Sequence, residues 1–208
     1  MMDCYSLVNP GRREPANIFR FAAIGHRFIT VDDRLIAAIR SVLEQILQEH
    51  INTELQLFCA LAEGSDQLAG IIALSNKDIK LIVPLPLAEE KYLQGFATEL
   101  GRNLFHELIK SAEKVFTLPD QNDEETAYEY LGNYLLDHCD ALIAIWNGEN
   151  TLKKGGTGEL ATKALQMGKL IYWIYADNGN EYGDVSRKAY KNSGDIEILG
   201  NIRDTPAK

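Results

Sequence analysis

The chain has 208 residues, enough for one α/β domain with a substantial core and few for two. It is 46% hydrophobic and 25% charged, the balance of a folded globular protein, so extensive disorder is excluded. With 30 acidic against 21 basic residues the net charge is −9, which argues against an extended DNA- or RNA-binding surface and leaves room only for a local basic pocket.

Residues 1–17 carry Pro10, Gly11, Arg12, Arg13, Glu14 and Pro15 with little periodicity and predict a loosely ordered or late-docking arm. Met1 to Pro10 lacks the basic and apolar regions of a signal peptide, and the expected setting is cytoplasmic. Phe19 to Gly25 reads as a strand, and Gly25-His26-Arg27-Phe28 leads to a helix with Asp32 as its N-cap. The apolar stripe of that helix runs through Leu35, Ile36, Ile39, Val42, Leu43, Ile46 and Leu47, the 3.6-residue period. A second strand is expected over Leu55–Leu61 and a helix from Gln67 to Ser75. A third strand, Lys80–Pro84, precedes a helical stretch over Glu89–Ser111 that is interrupted near Gly101.

Val115–Leu118 predicts a short fourth strand and Glu124–Cys139 a helix with Tyr128, Leu131, Leu135 and Leu136 on one side. Ala141–Trp146 and Leu170–Tyr175 predict the fifth and sixth strands. The helix between them starts at Gly158 and stops at Gly168, a suitable residue just past a helix end. Residues 177–208 are rich in Asn, Gly and Asp and read as a lid, an edge addition or a mobile end. Cys4, Cys59 and Cys139 lie too far apart for a disulfide framework or a zinc site, and the last two sit in apolar surroundings as buried thiols. No apolar run reaches the roughly 20 residues of a membrane span, so no membrane partner is expected.

Strand and helix alternate throughout, and strands such as Leu142-Ile-Ala-Ile are apolar without interruption, as parallel strands covered on both faces are. The expected fold is α/β: a single doubly wound Rossmann-like domain over residues 18–176, with a mostly parallel sheet of about six strands. Ligands of such sheets bind beyond the carboxyl ends of the strands, where three loops stand out.

Gly155-Gly156-Thr157-Gly158-Glu159 joins a strand to a helix. Thr157 as a cap and Glu159 as a partner of the helix dipole explain two of these residues, but three glycines in four go beyond capping. A glycine turn that opens a helix is an anion site, and phosphate or a phosphate-bearing nucleotide is the first ligand class to consider. The spacing is neither GxGxxG nor a Walker A motif, and no cofactor is expected. After the first strand, Gly25 allows a tight turn, His26 follows it, and Arg27 has the fork to grip a phosphate. In Glu63-Gly64-Ser65-Asp66, Ser65 or Asp66 suits a helix cap, while Glu63 stands directly at the ligand edge. Trp146 and Asn147, leaving the fifth strand, have a packing role or a contact to a base open to them. His138, Cys139 and Asp140 are adjacent and point in different directions, so no metal site is expected there.

The blocks Ala23-Ile-Gly-His-Arg27, Ala60-Leu-Ala-Glu-Gly-Ser-Asp-Gln-Leu-Ala69, Asp140-Ala-Leu-Ile-Ala-Ile-Trp-Asn-Gly148 and Gly155-Gly-Thr-Gly-Glu159 resemble one superfamily. It joins the Rossmann domain of DNA-processing protein A (Smf) with the "lonely guy" (LOG) phosphoribohydrolases. More narrowly, the chain is similar to the stand-alone SLOG-type proteins of bacteria, over Phe19 to Tyr175.

The LOG resemblance implies cleavage of the N-glycosidic bond of nucleoside 5′-monophosphates, with a motif PGGxGTxxE whose Glu is catalytic. Gly155, Gly156 and Gly158 match that motif, Lys154 replaces its Pro, Glu159 falls on its Thr and Thr162 on its Glu. A carboxylate displaced by a turn loses the alignment that catalysis needs. The SLOG resemblance implies sensing of a nucleotide or nucleotide-derived signal, and binding does not require that Glu.

The expected function is therefore binding or sensing of a nucleotide or nucleotide-derived molecule. Gly155, Gly156, Thr157, Gly158 and Arg27 would hold phosphate, with Gly64 and Ser65 at the ribose. The alternative is a LOG-like hydrolase using Glu159 or Glu63, and a second alternative, single-stranded DNA handling, fits poorly with the charge. Relatives of this fold pair through helices, so a homo-oligomer is among the expectations. A sensor without its own effector domain needs a separate effector protein.

Overall fold

Strand β1 (Ile18–Gly25) runs through the middle of a sheet, between β2 (Glu54–Phe58) and β5 (Ala141–Trp146). Beyond β2 lie β3 (Ile79–Leu85) and β4 (Lys114–Thr117), and beyond β5 lie β6 (Leu170–Tyr175) and β7 (Ile196–Leu199). The order is β4-β3-β2-β1-β5-β6-β7, parallel throughout except that β7 runs antiparallel to β6. This computed structural model describes residues 17–149, 155–177 and 191–200. The N-terminal arm lies outside the described residues except for Asn17, whose carbonyl accepts from the Glu54 N–H at 3.1 Å. Lys154 and most of the tail also lie outside them.

All six residues of β5 are buried, because helices cover both faces of the central strands. The helices are α1 (Asp33–Glu49), α2 (Ser65–Leu74), α3 (Glu89–Gln94), α4 (Glu99–Lys110), α5 (Glu124–His138) and α6 (Thr157–Gln166). In one layer α1 packs on α2 and α2 on α4, and in another α5 packs on α6. Asp32 caps α1 as its sequence predicts, its Oδ1 accepting from the Leu35 N–H at 2.8 Å. The stripe of α1 buries Leu35, Ile39, Val42, Leu43 and Ile46 against the sheet and α2. Among the described residues, no helix is long and apolar enough to cross a membrane.

Two elements differ from expectation. The stretch after β3 breaks at Gly95–Thr98, where Gly95 ends α3 and Thr98 caps α4, while Gly101 lies inside α4. Among the described residues the sheet has seven strands, because residues 196–199 of the tail add an antiparallel edge. The doubly wound plan itself holds. The chain winds outward from β1 to β4, and α5 carries it back to β5 on the other side of β1. The loops leaving β1 and β5 therefore diverge, opening a crevice at the carboxyl edge.

Candidate functional site

Three loops lock together at that edge. The His26 N–H donates to the Ile145 carbonyl at 3.1 Å, and the Ser65 N–H donates to the His26 carbonyl at 3.0 Å. Ser65 Oγ also donates to the Ile145 carbonyl, at 3.3 Å. Such contact needs bare backbone. A Cβ on Gly25 would stand 2.4 Å from the Ile145 oxygen, and one on Gly64 2.1 Å from the Arg27 oxygen. Gly64 also has φ +96°, a conformation that side chains resist. Just upstream, the fully buried Leu61 takes φ +58°, a strained backbone of the kind that clusters at functional turns.

Arg27 reaches out from the first loop. Its Nη1 donates to the Gly95 carbonyl at 3.2 Å, and its guanidinium lies 5.3 Å from the ring centre of Tyr128 in α5. Gly155, at φ +69°, packs against the other end of the same residue, and a Cβ there would stand 3.3 Å from the Tyr128 carbonyl oxygen. Tyr128 thus sits between the arginine and the glycine turn. His26 Nε2 and Asn147 Oδ1, 3.0 Å apart, bridge the loops that leave β1 and β5.

The glycine turn opens α6 as the spacing predicts, with a difference in its cap. Gly156 rather than Thr157 is the N-cap, and it makes no side-chain cap hydrogen bond of the kind seen at α1, α4 and α5. Glu159 turns back to the loop. Its Oε2 accepts from the Gly155 N–H at 2.8 Å, and its Oε1 pairs with Lys163 at 2.8 Å. This is one half of a capping box, displaced by one residue, since Gly156 has no side chain to return the bond.

Glu63 points into a different contact. Its Oε2 accepts from the Ala97 N–H at 2.6 Å, and its Oε1 accepts from the Thr98 N–H at 3.2 Å and from the Thr98 hydroxyl. The carboxylate thereby anchors the chain entering α4, and Gly101 leaves space for it, since a Cβ there would meet Glu63 Oε1 at 2.4 Å. Neither Ser65 nor Asp66 caps α2: Gly64 is the N-cap, without a side-chain bond.

Ser65, Asp66 and Gln67 are instead buried in succession. Gln67 Nε2 donates to the Gly101 carbonyl at 2.7 Å. Burial raises the Asp66 carboxyl to about 7, against the opposing pull of the Ala62 N–H, the Arg27 charge and the Gly25 N–H. The Tyr92 hydroxyl is buried without a hydrogen-bond partner among the described residues. Burial, with Asp66 and Tyr128 nearby, pushes it well above the usual phenol range.

Trp146 is buried, its ring 4.8 Å from that of Trp173, and its indole N–H also lacks a partner among the described residues. Cys59 and Cys139 are buried free thiols. Among the described residues no group of three or more His, Cys, Asp and Glu is placed to hold a metal.

Sequence reasoning missed Tyr128, Tyr92 and Thr98. Tyr128 had one usable signal: a helix that follows a parallel strand begins at the ligand edge, and Tyr128 lies in the second turn of α5. Tyr92 and Thr98 gave none, because the burial of the first and the Glu63 partner of the second come from distant segments. No protein-family model matches the chain, and no curated protein matches it.

Proposed function

We propose that the chain binds a nucleotide or nucleotide-derived ligand at the carboxyl edge of its sheet, with phosphate held between Arg27 and the start of α6. The observation that carries this reading is the position of Tyr128, flanked by the Arg27 guanidinium and by the Gly155 turn. A forked cation and a helix N-terminus beside one residue make a two-sided anion clamp. The interlocked backbone of Gly25, His26, Gly64 and the buried Ser65 lends the clamp rigidity and leaves room for a ribose. As for lineage, the reading is of a SLOG-type member of the Smf/LOG superfamily, supported by the four sequence blocks that meet at this edge. A cytoplasmic setting, a homo-oligomer and a separate effector protein belong to the same proposal. Calorimetric titration with AMP, GMP, CMP, NAD and ADP-ribose tests it. Saturable binding of at least one is expected, and no binding of any would overturn it.

One observation favours the rival hydrolase. Asp66, with a carboxyl near 7 beside Arg27, can hold or release a proton at neutral pH, which general acid–base work requires. Glu159 is less suited, being engaged by Gly155 and Lys163. In that reaction water adds to the ribose carbon as the glycosidic bond breaks and the base leaves with a proton. Chromatographic detection of free base, lost in Asp66→Asn, would favour the hydrolase, and absence of turnover favours the binder. A single-stranded DNA role has only the Smf resemblance behind it, against a charge of −9.

A further inference from the structure

The loop between β1 and α1 leaves two large apolar side chains in solvent beside the site, Phe28 at 44% exposure and Val31 at 52%. Both line one shallow, open cleft of about 240 Å³, together with Arg27, Glu63, Gly64 and Thr98. One part of this lining is hydrocarbon, and another is glycine backbone and a carboxylate. Arg27 is common to the cleft and to the anion clamp. Resting on the nucleotide reading above, we infer that this cleft is the subsite for the ligand's base, with Phe28 and Val31 against the base's face and Glu63 accepting an N–H from its edge.

A nucleobase is the occupant that matches this mixture. Its faces are apolar and polarisable and stack on an aromatic ring, whereas its rim carries N–H donors. Ribose and phosphate carry hydroxyls and charge over most of their surface and have no flat π face to stack on Phe28. Glu63 has the capacity the edge contact needs. Its Oε2 accepts one bond within the protein, from the Ala97 N–H at 2.6 Å, and a carboxylate oxygen accepts two. Gly64 lines the cleft with bare backbone, and a Cβ there would stand 2.1 Å from the Arg27 carbonyl oxygen.

The test compares AMP and GMP with ribose 5-phosphate, by calorimetry, on the wild type, Phe28→Ala and Phe28→Leu. Phe28 is an exposed loop residue, so both variants are expected to fold, which circular dichroism checks. The inference predicts that Phe28→Ala weakens the nucleotides about tenfold or more and leaves ribose 5-phosphate unchanged. Phe28→Leu is expected to fall between, keeping apolar area without a ring. Unchanged nucleotide affinity in Phe28→Ala, or equal loss for ribose 5-phosphate, would overturn the base subsite and leave the phosphate clamp standing. No binding of nucleotide or ribose 5-phosphate by the wild type would overturn both.

Discussion

His26 Nε2 lies 3.0 Å from Asn147 Oδ1, tying the loop after β1 to the loop after β5 across the point where the strand order reverses. Asn147 Oδ1 also accepts from the Glu149 N–H at 3.1 Å, which fixes the orientation of the amide. The imidazole must then donate through Nε2. Both residues are half-buried, so the bond is a latch on the crevice and not a core contact. Asn147→Ala should cost about 1 kcal/mol in urea unfolding, the net worth of an ordinary hydrogen bond. It should also weaken nucleotide binding by loosening the two loops against each other.

Glu63 makes a separate, structural prediction. Its carboxylate holds the Ala97 and Thr98 N–H groups and the Thr98 hydroxyl, so Glu63→Ala removes three donors' partner at once. The contact is partly solvated, and a loss of about 2 kcal/mol in unfolding free energy is expected. Amide hydrogen exchange at residues 97–102 should accelerate first, because α4 loses the anchor before its first turn. Unchanged protection there would show that Thr98 caps α4 without help from Glu63.

Periodicity revealed most of the scaffold. The spans of β5 and β6 follow from uninterrupted apolar runs, and the Asp32 cap follows from its place before an amphipathic stripe. Tertiary uses of local signals were less legible. Gly101 reads as a helix breaker, yet it sits in the first turn of α4 to admit Glu63. Ser65 and Asp66 read as caps, yet the backbone of Gly64 begins the helix and both side chains turn inward. Gly101 meets Glu63 from another loop, and Ser65 meets Ile145 80 residues away, beyond any local pattern. The glycine turn and Arg27 were visible as separate features. Their meeting at Tyr128 depends on how α5 crosses back over the sheet.

Asp66 gives the fold a pH dependence of defined sign. Its carboxyl is raised from 3.8 to about 7, with burial the main cause and Arg27, Cys59 and Tyr92 as its charged or titratable neighbours. Between these two values the folded state holds a proton that the unfolded chain has released. Its contribution to stability is therefore full below 3.8, declines as pH rises, and is gone above about 7. Asp66→Asn carries no titrating group and should flatten the stability profile across that window. The variant should equal or exceed the wild type in stability at pH 8. A wild-type profile that rises between pH 4 and 7, with the variant parallel to it, would contradict this account.

Arg27 bears the central claim, because it joins the glycine turn, through Tyr128, to the cleft that contains Phe28 and Glu63. The most direct measurement is the calorimetric affinity of the wild type, Arg27→Lys and Arg27→Ala for whichever nucleotide the wild type binds. Micromolar binding by the wild type, about 8 kcal/mol, is expected to weaken at least tenfold in Arg27→Ala, with Arg27→Lys between them because it keeps the charge without the fork. Equal affinity in all three proteins would contradict the account and move the phosphate elsewhere on the sheet edge.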